Sequence, residues 1–574
     1  MSLFELLTFA ISLFIKYFLV FGLFFFTGRS FSIVLSRYFL RSNFTNYILS
    51  TKITIFYPLI GLIIYGNGLI LLNFFIGLQS TFLYLYSILL ILPNFIFFEK
   101  SSFQFLNHIS LENFFLYIFI PSVLLVSSSD INFHYDAAYY HLNHQNWLRS
   151  SNLIIGTVNI FWPFGMSSIF EYLSSILWFK DSLIYLHFLN LIFLHFFFSF
   201  IFFHLFNSKN KNLKYASFFL ILFAIFDNFG ISGGRNGFIY IQEIGKQDTA
   251  VAILYCITSL LILDSIQQKK ISKPDLIYLS LLVFFIYEIK VSGVIIFFLF
   301  FVLLYELIKN KILSFKEVIL IQFPTIIFGI IWSIKSILTT GCLIFPLSFT
   351  CYEGFWWYEI GSTERVEAYT TATSFSYMEY FLSPELNFNN WVKDFFFSSS
   401  NSTFSNYYLS VYSNFLGSFI ILFLLSLLLF NRKNVSVRFK TITTMYFLAS
   451  ISYLIFYGPI PRYSMGILCT TVSLFGFFVK KPKLYLSKNI LLTIFIIAIG
   501  LFPRISSYQN FLSYKEISLF DPRIEMQYGV IATFENWIKP DTGDRCWINL
   551  KCTMESKNIK FNTEGFFKIA FKEN

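Results

Sequence analysis

Charged residues are scarce in this chain: Asp, Glu, Lys and Arg make up 13% of its 574 residues, about half the share usual in soluble domains. So little polar surface cannot cover a water-soluble body of this size. Nucleotide-binding signatures are missing as well. No Walker A segment and no dinucleotide-type glycine pattern occurs, so neither ATP drive nor NAD chemistry is indicated. No internal repeat stands out, although many transporters are built from one. The first stretch, Met1–Val20, has Glu5 where a secretory leader would be basic, and no small-residue cleavage site follows. It is read as the first membrane span.

Apolar residues are what the chain has in excess. The hydrophobic set makes up 56% of it and mean hydropathy is +0.66. They come in runs, among them Leu183–Leu205, Ala252–Leu263, Val291–Tyr305, Val318–Ile334, Leu416–Phe430 and Ile490–Phe502. Several approach the roughly 20 residues needed to cross a bilayer. The fold expected is therefore all-α, a polytopic transmembrane helical bundle. The 81 Phe receive no functional weight: with abundant Ile, Asn and Lys they fit an AT-rich mutational bias filling lipid-facing positions.

The net charge of +11 points to topology and not to nucleic acid, because the basic residues lie beside the spans. Arg29–Lys52, Lys209–Lys214, Lys269–Lys273, Lys309–Lys316, Arg432–Lys440 and Lys480–Lys488 should be cytoplasmic. Ser127–Asn152, Gly230–Gln247, Thr339–Tyr407, Gly458–Arg462 and the tail after Phe502 should face outward. About fourteen spans (a range of about 12–14) satisfy both sets, with both chain ends outside. The organisation expected is transmembrane helices over 1–127, an outer loop with interfacial helices over 128–180 and a transmembrane core over 181–338. A long outer loop over 339–407, further transmembrane helices over 408–502 and a small outer tail over 503–574 follow.

One apolar segment does not fit the count. Treating Phe161–Trp178 as a span would put Lys209–Lys214 outside, and it holds Trp162, Pro163, Gly165 and Glu171. It is read as a helix at the outer interface or re-entering the membrane, since irregular backbone at membrane depth usually lines a cavity.

Of six Cys, Cys256 and Cys469 fall in spans and read as inert core residues. Cys342 and Cys351 share one outer loop, and Cys546 and Cys552 share the tail. An oxidising compartment permits a disulfide within each pair. Zinc is disfavoured because no His stands near either, and free thiols stay open.

The densest polar cluster is Asp130-Ile-Asn-Phe-His134-Tyr-Asp136-Ala-Ala-Tyr139-Tyr140-His141, continuing through Asn143, His144 and Trp147 to Arg149. Asp136 can cap a helix running to about Arg149. It can also serve as a general base held at the membrane surface, and the two roles are compatible. His141 and His144 share a helix face, so a divalent metal held with Asp136 or Asp130 is an alternative.

These residues carry a resemblance. Asp136-Ala-Ala-Tyr-Tyr-His141-Leu, Trp147-Leu-Arg149 and Ile155-Gly156-Thr-Val-Asn159-Ile-Phe-Trp-Pro-Phe164-Gly165-Met-Ser-Ser168 resemble a family of bacterial multi-pass membrane proteins. The likeness continues at Ile289-Lys290-Val-Ser292, Gly341-Cys-Leu-Ile-Phe345-Pro346, Pro461-Arg462-Tyr463 and Gly543-Asp-Arg-Cys546-Trp547 through Cys552-Thr553. That family is similar to the GT-C glycosyltransferases, such as the protein mannosyltransferases and aminoarabinose transferases. The resemblance implies a GT-C-like bundle, a polyprenyl-phosphate sugar donor and a catalytic Asp in the first outer loop, matched here by Asp136. The loop follows about the fourth span instead of the first, as an N-terminal extension would explain.

A polyprenyl-phosphate leaving group needs positive charge at the outer interface. Arg462 is the first choice, because a guanidinium binds phosphate with its planar fork; Arg235 and Lys246 come next, and Tyr140 and His141 belong to the same candidate substrate- and phosphate-binding set. Lys290, with Glu288, is placed at an outer hairpin where exposure is cheap, either touching the lipid phosphate or capping the turn. Asp248 caps the next span or, like Asp130, forms a second acidic site. Trp356, Trp357, Tyr358, Glu359, Glu364, Arg365 and Glu367 occupy the long outer loop; its aromatics read as interface anchors before sugar-stacking platforms. The expected activity is sugar transfer from the lipid-linked donor to an acceptor, outside the bacterial cytoplasmic (inner) membrane. Its partners are membrane lipid and that donor, with no nucleic acid. A polysaccharide polymerase or ligase, or a transporter or flippase of a lipid-linked glycan, are the alternatives.

Overall fold

The computed structural model describes residues 3–39, 47–97, 110–179, 183–228, 241–374, 403–458, 460–483, 487–503, 505–513, 530–534, 537–540, 545–548, 550, 552–553 and 559–572. Among these, nine helices are long and apolar enough to cross a membrane. A tenth results if the bent pair Lys488–Leu501 and Ile505–Ser513 counts as one span. The protein is a multi-pass membrane protein built as an all-α bundle. Shorter helices, Phe82–Ile96, Lys211–Asn228, Lys273–Ile289 and Pro461–Ser473, run alongside without meeting that test. The expected fourteen spans are reached only by counting such shorter elements, whose length or charge sets them apart.

Burial sorts the helices into layers. Ile184–Phe206 and Asp248–Gln268 are wrapped on all sides by protein, whereas Phe315–Thr340 and Val437–Tyr457 are mostly uncovered. The uncovered faces are apolar. Phe4, Leu7, Ile11, Ile15 and Leu19 form an exposed stripe at helical spacing, as do Ile319, Phe323, Ile326, Ile330 and Ile334. Such stripes suit lipid as solvent. The first two helices cross through glycines. A Cβ on Gly28 would lie 2.0 Å from the Tyr57 carbonyl oxygen, and one on Gly61 1.8 Å from that of Phe24. Small residues allow this backbone approach, a common means of helix association in membranes.

Side-chain bonds tie the basic loops together at one end of the bundle. Lys52 pairs with Glu112 at 2.5 Å, Thr51 bonds His204 and the Leu49 N–H donates to Asp275. Lys273 meets Glu317 at 2.9 Å, Arg438 meets Glu306 and Lys433 meets Asn212. Strand Phe430–Arg432 pairs antiparallel with Val479–Pro482. Helices leaving this end start on serine caps: Ser110, Ser272, Ser314, Ser436 and Ser487 each accept a backbone N–H of the first turn. Each cap satisfies a donor that the helix itself cannot. The loops at this end are those expected in the cytoplasm from the charge bias.

The opposite end carries the long loops and the C-terminal tail. Hairpin Ile559–Glu564 with Phe567–Lys572 docks through a bridge from Ile155 to Ile569. The Asn159 amide donates 2.9 Å bonds to the Trp357 and Ala570 carbonyls, joining two loops to the tail. Cys342–Cys351 and Cys546–Cys552 are both disulfide-bonded. Trp357 and Tyr358 are buried. They pack within the loop, so the interface-anchor role expected of them is not what they perform; Trp356 is exposed.

Phe161–Trp178 does not span. It forms a short 3-10 turn, Trp162–Met166, and a seven-residue helix, Ile169–Ser175, capped by Ser168 and buried along its whole length. The Ser168 hydroxyl also donates 2.7 Å to the Ile289 carbonyl, fastening the segment to the end of Lys273–Ile289.

Candidate functional site

The site begins with two loop segments that zip together. Phe133 bridges Ile244 in parallel; the His134 N–H donates to the Ile244 carbonyl and the Ile244 N–H to that of Asn132. Gly245 follows, at φ +92°, where a Cβ would stand 2.6 Å from the Ala137 Cβ. Only glycine permits both that backbone angle and that approach. The next residue, Lys246, then reaches Asp136: Nζ to Oδ2 is 2.6 Å.

Asp136 does not cap the helix as expected. Its backbone is already helical and its side chain makes no capping bond. The carboxylate has swung to the ammonium, a charge-assisted bond stronger than a neutral cap. Burial raises its pKa, but Lys246, His141 and His134 outweigh that and hold it below the usual carboxylate value. Asp136 is therefore ionised at neutral pH. His134 Nδ1 lies 3.5 Å from Oδ2 but accepts the Asp136 backbone N–H at 3.1 Å, so that nitrogen carries no proton. Burial first and the charge of Lys246 second push His134 down to about 4. The pair is a neutral imidazole beside a carboxylate, not an ion pair.

A second pair sits beside the first. Asp248, the first residue of Asp248–Gln268, is buried and bonds Lys290, the residue that ends Lys273–Ile289. Asp248 makes no cap. The Lys290 ammonium also lies 5.0 Å from the centre of the Tyr463 ring, and the Arg462 guanidinium 5.3 Å from the same centre. Arg462 is exposed at the start of Pro461–Ser473, and its charge acts on both Asp136 and Asp248. Tyr140 is within electrostatic reach of Asp136, Glu171 and Arg462. Burial raises its phenol well above the ordinary value. The fold thus gathers Asp136, Lys246, Asp248, Lys290, Arg462 and Tyr140 from four separate chain segments. Tyr463 and His134 belong to the same group.

Other expected residues fall elsewhere. Asp130 accepts bonds from Ser506 and Asn510 and fastens the Ile505–Ser513 helix, so it is no second acidic site beside Asp136. Arg235 lies outside the described residues. His141 and His144 do share a face, but both turn Nδ1 to Glu171, His144 at 3.1 Å from Oε2. Each spends its Nδ1 on that carboxylate, and the metal set with Asp136 or Asp130 is not assembled. Among the described residues no group of three or more His, Cys, Asp or Glu could hold a metal ion. Burial raises the Glu171 pKa, yet the two imidazoles win and bring it down to about 2. Glu171 had stood out in the sequence only as a carboxylate in an apolar segment.

Glu288 is a correction. The expected hairpin position would expose it cheaply, yet it is 1% exposed and accepts a 3.1 Å bond from Asn67. It lies in the last turn of Lys273–Ile289, facing inward. Lys335, unremarked in the sequence, is also buried; it donates 3.0 Å to the Ser167 carbonyl and lies 4.4 Å from the Trp332 ring centre. Its charge acts on Glu171 and Glu288. A Lys directly after the apolar run Val318–Ile334 was the available signal, because ionisable groups at membrane depth usually have partners.

A cavity of about 310 Å³ is on the same end, between Trp162, Phe345, Glu359, Arg365, Tyr369 and Lys572; Asp136 is not in its wall.

A family model described as a domain of unknown function (DUF8201) matches residues 11–469, most of the chain. The chain belongs to the DUF8201 family. The DUF8201 match contains the whole Asp136 cluster and ends within Pro461–Ser473, before the tail with Cys546 and Cys552. No curated protein and no solved structure matches the chain.

Proposed function

We propose that this DUF8201 protein is a GT-C-type glycosyltransferase. It transfers a sugar from a polyprenyl-phosphate donor to an acceptor hydroxyl at the outer face of a bacterial cytoplasmic membrane. The observation that supports this reading is one site holding an ionised carboxylate, Asp136, with Lys246, Lys290 and Arg462, at the end of the bundle away from the basic loops. Lys246 and His134 both face Oδ2 of Asp136, which leaves Oδ1 to the acceptor hydroxyl. As the acceptor oxygen bonds the anomeric carbon, the bond from that carbon to the phosphate oxygen breaks. The hydroxyl proton passes to Asp136, and the negative charge left on phosphate is met by Arg462 and Lys290. Tyr463 holds those two cations on one aromatic ring.

The test is transfer of radiolabelled sugar from polyprenyl phosphate in membranes containing wild type or Asp136→Asn. Asp136→Asn should lower transfer at least a hundredfold, the low end for loss of a general base; undiminished transfer at equal expression sinks the role. A transporter of a lipid-linked glycan is the second reading, favoured by the buried Glu288, Asn67 and Lys335. Movement of a fluorescent lipid-linked glycan across vesicles, lost in Glu288→Gln but kept in Asp136→Asn, would select it.

A further inference from the structure

The cavity of about 310 Å³ has a composition that the Asp136 chemistry does not use. One wall is aromatic: Trp162 and Tyr369 meet edge to face with ring centres 5.3 Å apart, and Phe345 adjoins them. The other is charged: Glu359 bonds Arg365 at 2.5 Å and Lys572 at 3.0 Å. The walls come from chain segments that other bonds fix in place. The Asn159 amide links its own loop to the Trp357 and Ala570 carbonyls, and Cys342–Cys351 closes the loop that carries Phe345.

The chemistry of the walls selects a ligand class. Aromatic rings beside a few convergent polar groups suit a molecule with an apolar face and a polar rim, as a pyranose has. In the charged wall one carboxylate, Glu359, meets two cations. Arg365 donates one N–H group to Glu359 while 67% of its side chain remains exposed, and a guanidinium has five such donors in a fork that matches carboxylate. The volume lies at the low end of the usual range for ligand pockets, about 300–1,000 Å³, enough for one or two sugar rings. We infer that this cavity is a saccharide-binding site for an acidic sugar, with the ring against Trp162 and Tyr369 and the carboxylate on Arg365. Trp162 follows Phe161, whose ring lies 5.1 Å from that of Tyr139 on the Asp136 helix. A bound glycan would thus sit next to the ion cluster without entering it.

The inference concerns binding and stands whether or not Asp136 catalyses transfer. Saturation-transfer NMR on the full chain in lipid nanodiscs, with methyl glucuronide and methyl glucoside as probes, tests it. Glucuronide should bind saturably, at least tenfold more tightly than glucoside. Trp162→Ala should abolish the signal, and Arg365→Gln should reduce glucuronide to the level of glucoside. Because Arg365 is exposed, its variant keeps the fold and decides the matter even if Trp162→Ala does not. No saturable binding of glucuronide, equal binding of the two sugars, or glucuronide binding unchanged in Arg365→Gln would overturn the assignment.

Discussion

Glu171 fastens the helix carrying Asp136 to the segment that enters the bundle without crossing it, and replacing it tests that attachment. The carboxylate is 1% exposed and takes bonds from His141 and His144. Its pKa of about 2, against 4.5 for an ordinary glutamate, corresponds to about 3 kcal/mol of stability. Glu171→Ala should lower the unfolding free energy by that amount, measured by reversible denaturant titration in bilayer discs at neutral pH. Glu171→Gln should cost less, because the amide keeps the volume and one acceptor. The pH dependence follows from the sign of the shift. A depressed carboxylate pKa stabilises the fold above 4.5, and that contribution is lost as pH falls toward about 2. Wild type should therefore lose more stability than Glu171→Gln across this window, and the two should converge at its acid end. The reasoning is refuted if Glu171→Ala lies within about 0.5 kcal/mol of wild type, the spread of neutral surface changes, or if Glu171→Gln keeps the full acid sensitivity.

Three further outcomes are expected. Gly245→Ala places a Cβ against the Ala137 backbone at positive φ and should destabilise by roughly 2–4 kcal/mol; Ala137→Gly in combination should recover only part, because the Ala137 Cα and N remain 2.8 Å away. Lys290→Met leaves the buried Asp248 carboxylate without its cation. It should cost roughly 2–3 kcal/mol, at the low end because Lys290 is partly exposed, and adding Asp248→Asn should restore most of it in a double-mutant cycle. His134 has a folded pKa of about 4 against 6.5, so its contribution is complete above 6.5 and is lost as pH falls through 4. His134→Gln should flatten the stability profile over that interval, and an unchanged profile would show that the fold does not depress the His134 pKa.

The sequence by itself determined the membrane body. Scarce charge and repeated apolar runs admit no other solvent, and the basic loops named in the sequence meet at one end of the fold. Arg29, expected in the first of them, is the exception: it is buried within the helix Leu3–Val34 and bonds Asn94. It also marked Phe161–Trp178 as a segment that does not cross, because charge parity forbids it and its Pro, Gly and Glu disfavour a span. Asp136, Lys246, Lys290 and Arg462 were legible as polar residues beside spans. Their assembly was not. Lys246 reaches Asp136 only because Gly245 lets two loops, more than a hundred residues apart, close on one another. The partners of His141 and His144, the depth of Glu288 and the burial of Lys335 were decided by tertiary structure alone. Hydropathy averages over a helix, whereas the cost of a buried charge depends on which face it occupies and what meets it there.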